Sequence, residues 1–225
     1  MNSILRLCHK LVVFMIKLTK IQKPQVLIDN EAAWTATLLA IPLEDKQARR
    51  TATARYNHAD IKLALLQETN EKCAYCESKL RHVTYGDIEH VSPKSGEPNK
   101  TFEWSNLTVA CDICNTKKSD VAYGLIIDPF IDEPSEHIRF YGSIVLALPG
   151  NEKGEVTDSI LVLNRRELLE RRTEKITYIR DSLSNIAKTR KPENRAILQA
   201  DFDEKELSRD NEYSAMINAY VESTR

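Results

Sequence analysis

The stretch 86-GDIEHVSPKSGEPN-99 decides how this chain is read. A short apolar alternation, Ile88 then Val91, runs into an acidic–imidazole pair, Glu89–His90, and a loop rich in Gly, Pro and Lys follows at once. Alternation with period two is the mark of a half-buried strand, and the Gly/Pro cluster marks a loop after it. The pair therefore sits at a strand end. It is either a chance neighbour on a folded edge or the working end of an enzyme. A Glu–His pair alone is more often a satisfied structural histidine, so its surroundings must decide.

Those surroundings are two cysteine pairs, Cys73-Ala-Tyr-Cys76 and Cys111-Asp-Ile-Cys114, with thirty-four residues between them. A C-x-x-C turn points two thiolates at one centre about 2.3 Å from each sulfur. Two such turns make a closed, tetrahedral, all-sulfur site whose softness suits zinc, and a site with no open position is structural. The competing readings are a redox C-x-x-C and four buried free cysteines; two pairs rather than one select zinc. Between and after the pairs come strand-like runs with Val83, Tyr85, Ile88 and Val91, then Leu107 and Val109. Asn106 follows the acidic–His pair, and Asn115 comes nine positions later, with Lys117, Lys118 and Asp120 trailing. Strand, loop, strand and helix is the layout this spacing predicts.

The chain has 225 residues, 42% hydrophobic and 29% charged, which suits one globular core or a small module with additions. The net charge is -1, so no global basic field advertises nucleic-acid binding, and any affinity for polyanions must be local or supplied by a partner. The apolar run from Leu11 to Ile16 is too short to span a bilayer, and no small-residue cleavage site follows it. Met15 is a second candidate start, which makes residues 1–14, with the fifth cysteine Cys8, a doubtful leader. No membrane segment and a cytoplasmic protein are expected.

The flanks read as mainly helical. Residues 15–70 form an N-terminal helical region: 29-DNEAAWTATLLA-40 has an Asx start signal and stops at Pro42, and 54-ARYNHADIKLALLQETN-70 carries Ile61, Leu65 and Leu66 at helical spacing. His58 reads as a surface or helix-flank histidine. Residues 71–124 form the chemically dense core. Residues 125–225 form a hairpin plus helical region that packs with the core or docks a partner. Within it, 137-HIRFYGSIVLALPGNEKGEV-156 reads as a hairpin or two. Residues 164–191 read as a long helix with Asn164 and Glu167 at capping-box spacing and an apolar stripe of Leu169, Ile176, Ile179 and Leu183, ended by Pro192. Residues 212–223 add a further helix.

The segments DIEHVSPKS, SNLTVAC and CNTKKSD resemble the HNH endonucleases, the ββα-metal or His-Me finger nucleases, and the two cysteine knuckles match their zinc-bound subgroup. A wider likeness through KCAYCE, WSNL, DPF and LVLNRREL is similar to the PtuB-like HNH component of Septu-type and retron-associated anti-phage systems. The fold class so implied is α+β, a small zinc-bound ββα core with helical additions. The resemblance implies a metal-dependent endonuclease in antiviral defence, cutting DNA by default and RNA such as tRNA as another option. His90 becomes the general base, Glu89 and Asn115 hold one divalent ion, magnesium or manganese, and Asn106 braces the loop. Lys94, Lys117 and Lys118 are candidate phosphate contacts. The chemistry is self-consistent: histidine titrates near neutrality, and magnesium prefers oxygen ligands and keeps waters. Two departures stand out. Glu replaces the commoner Asp at position 89, and the last position is Asn rather than His. An ABC-type ATPase is the implied partner, with a reverse transcriptase and its RNA–DNA product in the retron versions. The alternative is a non-catalytic zinc-knuckle module that grips nucleic acid, or an adaptor whose long helix docks the ATPase.

Overall fold

The computed structural model describes residues 16–80 and 85–224. Cys8, Met15 and Val83 lie outside those residues. The centre is a two-stranded antiparallel hairpin, β1 (Asp87–His90) and β2 (Leu107–Ala110). Asp87 faces Ala110 and His90 faces Leu107 across it. Helix α4 (Asp112–Lys118) follows β2 after a single residue. The first cysteine knuckle is laid along the same hairpin, where Ala74 N donates to Val109 O at 3.0 Å.

Such a small sheet cannot be stable alone in water. Helices from both flanks cover it. Ahead of the hairpin come α1 (Gln25–Ala40), α2 (Lys46–Thr53) and α3 (Ala59–Glu68). After it come the hairpin β3 (Ile138–Tyr141) and β4 (Ile144–Ala147), then α5 (Glu152–Leu161), α6 (Arg166–Lys188), α7 (Pro192–Glu206) and α8 (Ser214–Thr224). One continuous apolar cluster joins Leu27 and Leu65 from the front, Leu107 and Val109 from β2, and Ile179 and Met216 from the back.

Polar ties lock both flanks to the core. Glu68 accepts from Ile21 N at 3.1 Å and pairs with Lys20 at 3.0 Å, and Lys20 Nζ also donates to Leu107 O. At the other end Lys72 Nζ donates to Ser214 Oγ at 2.9 Å, and Glu77 accepts from Ala215 N at 3.2 Å. Lys72 and Glu77 flank the first cysteine pair, so α8 seats directly on that knuckle.

Several expectations need correction. Helix α1 begins at Gln25 behind Pro24, so Asp29 and Asn30 lie inside it rather than starting it. Asn164 does not cap α6; its amide instead bonds both polar groups of Val145, at 2.8 and 2.6 Å, and pins β4. The buried stripe of α6 runs through Leu168, Arg172, Ile179 and Ile186, with Leu169 only half-buried beside it. Residues 152–161, read as part of a second hairpin, are helix α5, capped by Asn151 accepting from Gly154 N at 2.9 Å. Residues 192–206 form α7, with Pro192 opening a helix as well as following one. His58 holds as a helix-flank residue; its Nδ1 accepts from Asp60 N at 3.2 Å at the start of α3.

Gly154 explains how α5 closes against the β3–β4 hairpin. A Cβ there would sit 2.2 Å from the carbonyl oxygen of His137. Alanine would gain about 1 kcal/mol in helix propensity. The overlap with backbone outweighs that gain, and Gly154→Ala is expected to destabilise the protein by about 1–3 kcal/mol. Urea unfolding measures the difference; a variant as stable as the parent would show that α5 does not pack this closely.

Candidate metal centre and hydrolytic site

The sulfurs of Cys73, Cys76, Cys111 and Cys114 lie within 4.8 Å of one another, all four buried. Among the described residues this is the one cluster of His, Cys, Asp and Glu ligand atoms close enough to share an ion. The local folds explain it. One pair sits on the knuckle bonded to β2, and the other spans the first turn of α4, where Cys111 Sγ accepts from Cys114 N at 3.4 Å. The donor set fits zinc: four soft ligands from two knuckles, closed to solvent.

Arg165, just ahead of α6, caps the cluster. Its guanidinium nitrogens stand 3.8 Å from the sulfurs of Cys76, Cys111 and Cys114. Burial opposes its charge, yet the three sulfurs more than offset this and raise its pKa above the ordinary value. Hydrogen bonds within the cluster hold the Cys76 and Cys111 thiols below their ordinary value, while burial pushes Cys73 up and the hydrogen bond with Cys111 pushes Cys114 up.

The hairpin and α4 together build the second site. Asp87 and Glu89 are two apart on β1 and share one face, the face that α4 covers. Asn115 Nδ2 donates to Asp87 Oδ2 at 3.0 Å. Near the end of α4, Lys118 Nζ pairs with Glu89 at 2.8 Å and also donates to the His90 carbonyl at 2.8 Å. The ion pair is buried, with side chains 1% and 7% exposed. Burial raises the Glu89 carboxyl above its ordinary range, and Lys118 pulls it partly back. Breaking such a pair from one side costs about 3–5 kcal/mol.

His90 turns its ring to the other face of the strand end. Nε2 lies 2.9 Å from Thr101 O, and Tyr56 packs against the ring edge-on, with centroids 4.6 Å apart. The carbonyl can only accept, so Nε2 carries the proton and Nδ1 keeps the lone pair. Asn106 holds the intervening loop: its Oδ1 accepts from Ser92 N at 2.6 Å, and its Nδ2 donates to the carbonyls of Ser92 and Lys100 at 3.1 and 3.0 Å.

Of the expected residues, Glu89, His90 and Asn106 lie toward one end of the hairpin, while Asn115 is held at the Asp87 end, and each is separately engaged. Glu89 pairs with Lys118, Asn115 bonds Asp87, and His90 faces Thr101 and Tyr56. Lys118 is a correction: with its ammonium buried between Glu89 and the His90 carbonyl, it has no open face for a phosphate. Lys117 is exposed, and Lys94 lies over Tyr56 with Nζ 4.4 Å from the ring centroid. Asp87 is an oxygen donor that the sequence reading missed; its i, i+2 relation to Glu89 was the available signal. Tyr56 and Arg165 come from distant segments, and nothing local announces them.

The donor chemistry fits a hard cation. Asp87 and Glu89 on one strand face, with the Asn115 amide bonded to Asp87, offer oxygen donors of the kind such an ion takes. Two hydroxyls beside Glu89 are buried without hydrogen-bond partners among the described residues. One is Thr108, directly across the ladder from Glu89; the other is Tyr75, whose phenol burial and then the Glu89 charge push up. Buried polar atoms ordinarily find partners, and orphans beside a carboxylate suit a site that takes water or an ion.

Comparison with known proteins agrees with this geometry. Residues 73–120 match the family model described as HNH endonuclease. The chain is 35% identical over 159 residues to the Septu protein PtuB of Bacillus thuringiensis, covering 69% of this chain and 57% of that one. It is 30% identical over 152 residues to the Septu protein PtuB of Bacillus mycoides (strain KBAB4), covering 53% and 52% respectively. The protein therefore carries a domain of the HNH endonuclease family and is similar, beyond that domain, to Septu proteins PtuB. It spans about half the length of these curated relatives. No helix among the described residues is long and apolar enough to cross a membrane.

Two expectations follow. The purified chain should hold about one zinc per molecule, counted by elemental analysis, and Cys76→Ser should lose both the metal and the cooperative unfolding transition. Full stability without zinc would refute a metal clasp. The second concerns pH. Burial, then repulsion from Lys94, lowers the His90 pKa from 6.5 to about 3, with the Thr101 carbonyl opposing. The unfolded chain thus binds a proton between pH 6.5 and about 3 that the native ring refuses, so His90 makes stability fall as pH falls through that window. The urea midpoint should drop more between pH 7 and 5 for the parent than for His90→Gln. Equal drops would mean that the ring is not held neutral.

Proposed function

We propose that the protein is a metal-dependent endonuclease that hydrolyses phosphodiester bonds, with DNA as the substrate class and RNA such as tRNA as the second. The observation that carries this reading is the hairpin–helix frame with Asp87 and Glu89 on one strand face, the Asn115 amide bonded to Asp87, and a neutral, carbonyl-anchored His90 at the strand end. In this role Glu89 and Asn115, joined by Asp87, would hold a magnesium or manganese ion. When bound, such an ion supplies electrophilic stabilisation of the extra charge on phosphorus and of the leaving oxygen. Thr101 O fixes the His90 ring through Nε2, and Asn106 fixes the loop that carries Thr101. Nδ1 then takes the proton from the attacking water. A bound phosphodiester places negative charge beside the ring and offsets Lys94, and both effects raise the basicity that burial has lowered. Lys117 and Lys94 are left to contact phosphates.

Similarity to Septu proteins PtuB supports a role in anti-phage defence. The implied partner is an ABC-type ATPase, joined in retron-type assemblies by a reverse transcriptase and its RNA–DNA product. The buried Glu89–Lys118 pair favours a second reading. In it the frame is a zinc-held module that binds nucleic acid or docks the ATPase without cutting.

The two readings separate on one substitution. His90→Ala is expected to keep its zinc and its fold while cleavage of labelled DNA or total RNA in magnesium falls by about 10²–10⁴-fold. Water attack leaves 5′-phosphate and 3′-hydroxyl ends. Unchanged cleavage by His90→Ala would refute His90 as the general base, and no cleavage by the parent assembled with an ABC-type ATPase would support the binding module.

A further inference from the structure

A basic groove of about 470 Å³ lies beside the His90 end of the hairpin, and most of its lining comes from outside the HNH-matched segment. Its wall is α2. Asp45 caps that helix by accepting from Ala48 N at 2.9 Å, which sets the register. Lys46, Arg49, Arg50 and Thr53 then recur at helical spacing and share one face. Tyr56 and Lys94, the latter four residues beyond His90, also line it.

Tyr56 is the physical link between groove and site. Its ring edge meets His90 with an interplanar angle of 87°, and Lys94 lies over its face. The Tyr56 hydroxyl also accepts from Lys94 Nζ at 3.1 Å. Arg49 is held in place by donating to the carbonyls of Leu38 and Ile41 at 3.2 and 2.8 Å, where it ends α1. Lys46 and Arg50 are exposed, and neither pairs with a carboxylate among the described residues. The neighbouring acids are Glu44 and Asp45, and Asp45 is engaged in the cap. In a chain of net charge -1, four cations around one groove are a local concentration of positive charge, and none of the four pairs with a carboxylate among the described residues.

We infer that this groove binds the phosphate backbone of the nucleic acid that the His90 site cuts, with Lys46 and Arg50 contacting successive phosphates and Tyr56 carrying the strand to His90. The inference rests on the nuclease reading for its substrate but concerns binding, and it can be tested separately. Phosphate contacts of this kind are independent of sequence and release counterions, so each should contribute about one to the slope of log affinity against log salt.

The test uses full-length protein and fluorescein-labelled oligonucleotides, single-stranded and duplex, with calcium in place of magnesium. Anisotropy is recorded across a potassium chloride series. Lys46→Glu with Arg50→Glu is expected to weaken binding at least about tenfold and to lower the salt slope by about two. If the charge-reversed chain fails to fold, Lys46→Gln with Arg50→Gln carries the test, with a smaller loss of affinity and the same drop in slope. Parental affinity and slope in the substituted chain would overturn the groove, even if cleavage proves the nuclease reading right. Loss of binding in a protein that never cuts would uphold the groove and refute the nuclease. Preferential binding of phosphatidylserine vesicles over oligonucleotide would also overturn it.

Discussion

The fold depends on four sulfurs meeting at one point. A hairpin of two four-residue strands buries too little to hold itself, and the cysteines join its outer ends: one knuckle bonded along β2 and one turn of α4. Gathering four thiols in a dry pocket is favourable only if they lose protons to a cation, which is why metal binding and folding are coupled in such modules. Arg165 adds a positive charge from the start of α6, so the C-terminal half of the chain helps neutralise the cluster. Through Lys72 and Glu77, on either side of the first pair, the same clasp seats α8.

With the hairpin fixed, the chemistry follows from strand geometry. Period two sends Asp87 and Glu89 toward α4 and turns His90 toward Tyr56 and Thr101. The carboxylate and the imidazole, adjacent in sequence, thus occupy opposite sides of one strand end. Lys118 reaches across to neutralise Glu89 and bonds the carbonyl of His90 as well. A buried lysine so placed keeps the Glu89 carboxylate compatible with a folded core.

The centre of this fold was legible in the sequence, and the flanks less so. Spacing alone exposed the cysteine pairs, and alternation exposed β1, because both are local rules. Asn106 was read as a loop brace, and its amide does hold the backbone of residues 92 and 100. Position alone misled at Lys118. The sequence makes it a candidate phosphate contact beside Lys117, but the turn of α4 sends it inward, a consequence of helix phase that the adjacent lysines hide. Asn164 was taken for a helix cap because its spacing to Glu167 allows one; the β3–β4 hairpin took the amide instead. Tyr56 and Arg165 act across 34 and 51 residues, to His90 and Cys114, and no local pattern encodes such contacts.

The account is tested most directly by anomalous diffraction from crystals soaked in manganese. A manganese peak bordered by Asp87, Glu89 and Asn115, distinct from a zinc peak among the four cysteines, is the predicted result. Metal at the cysteines alone, with Lys118 still bound to Glu89, would contradict it.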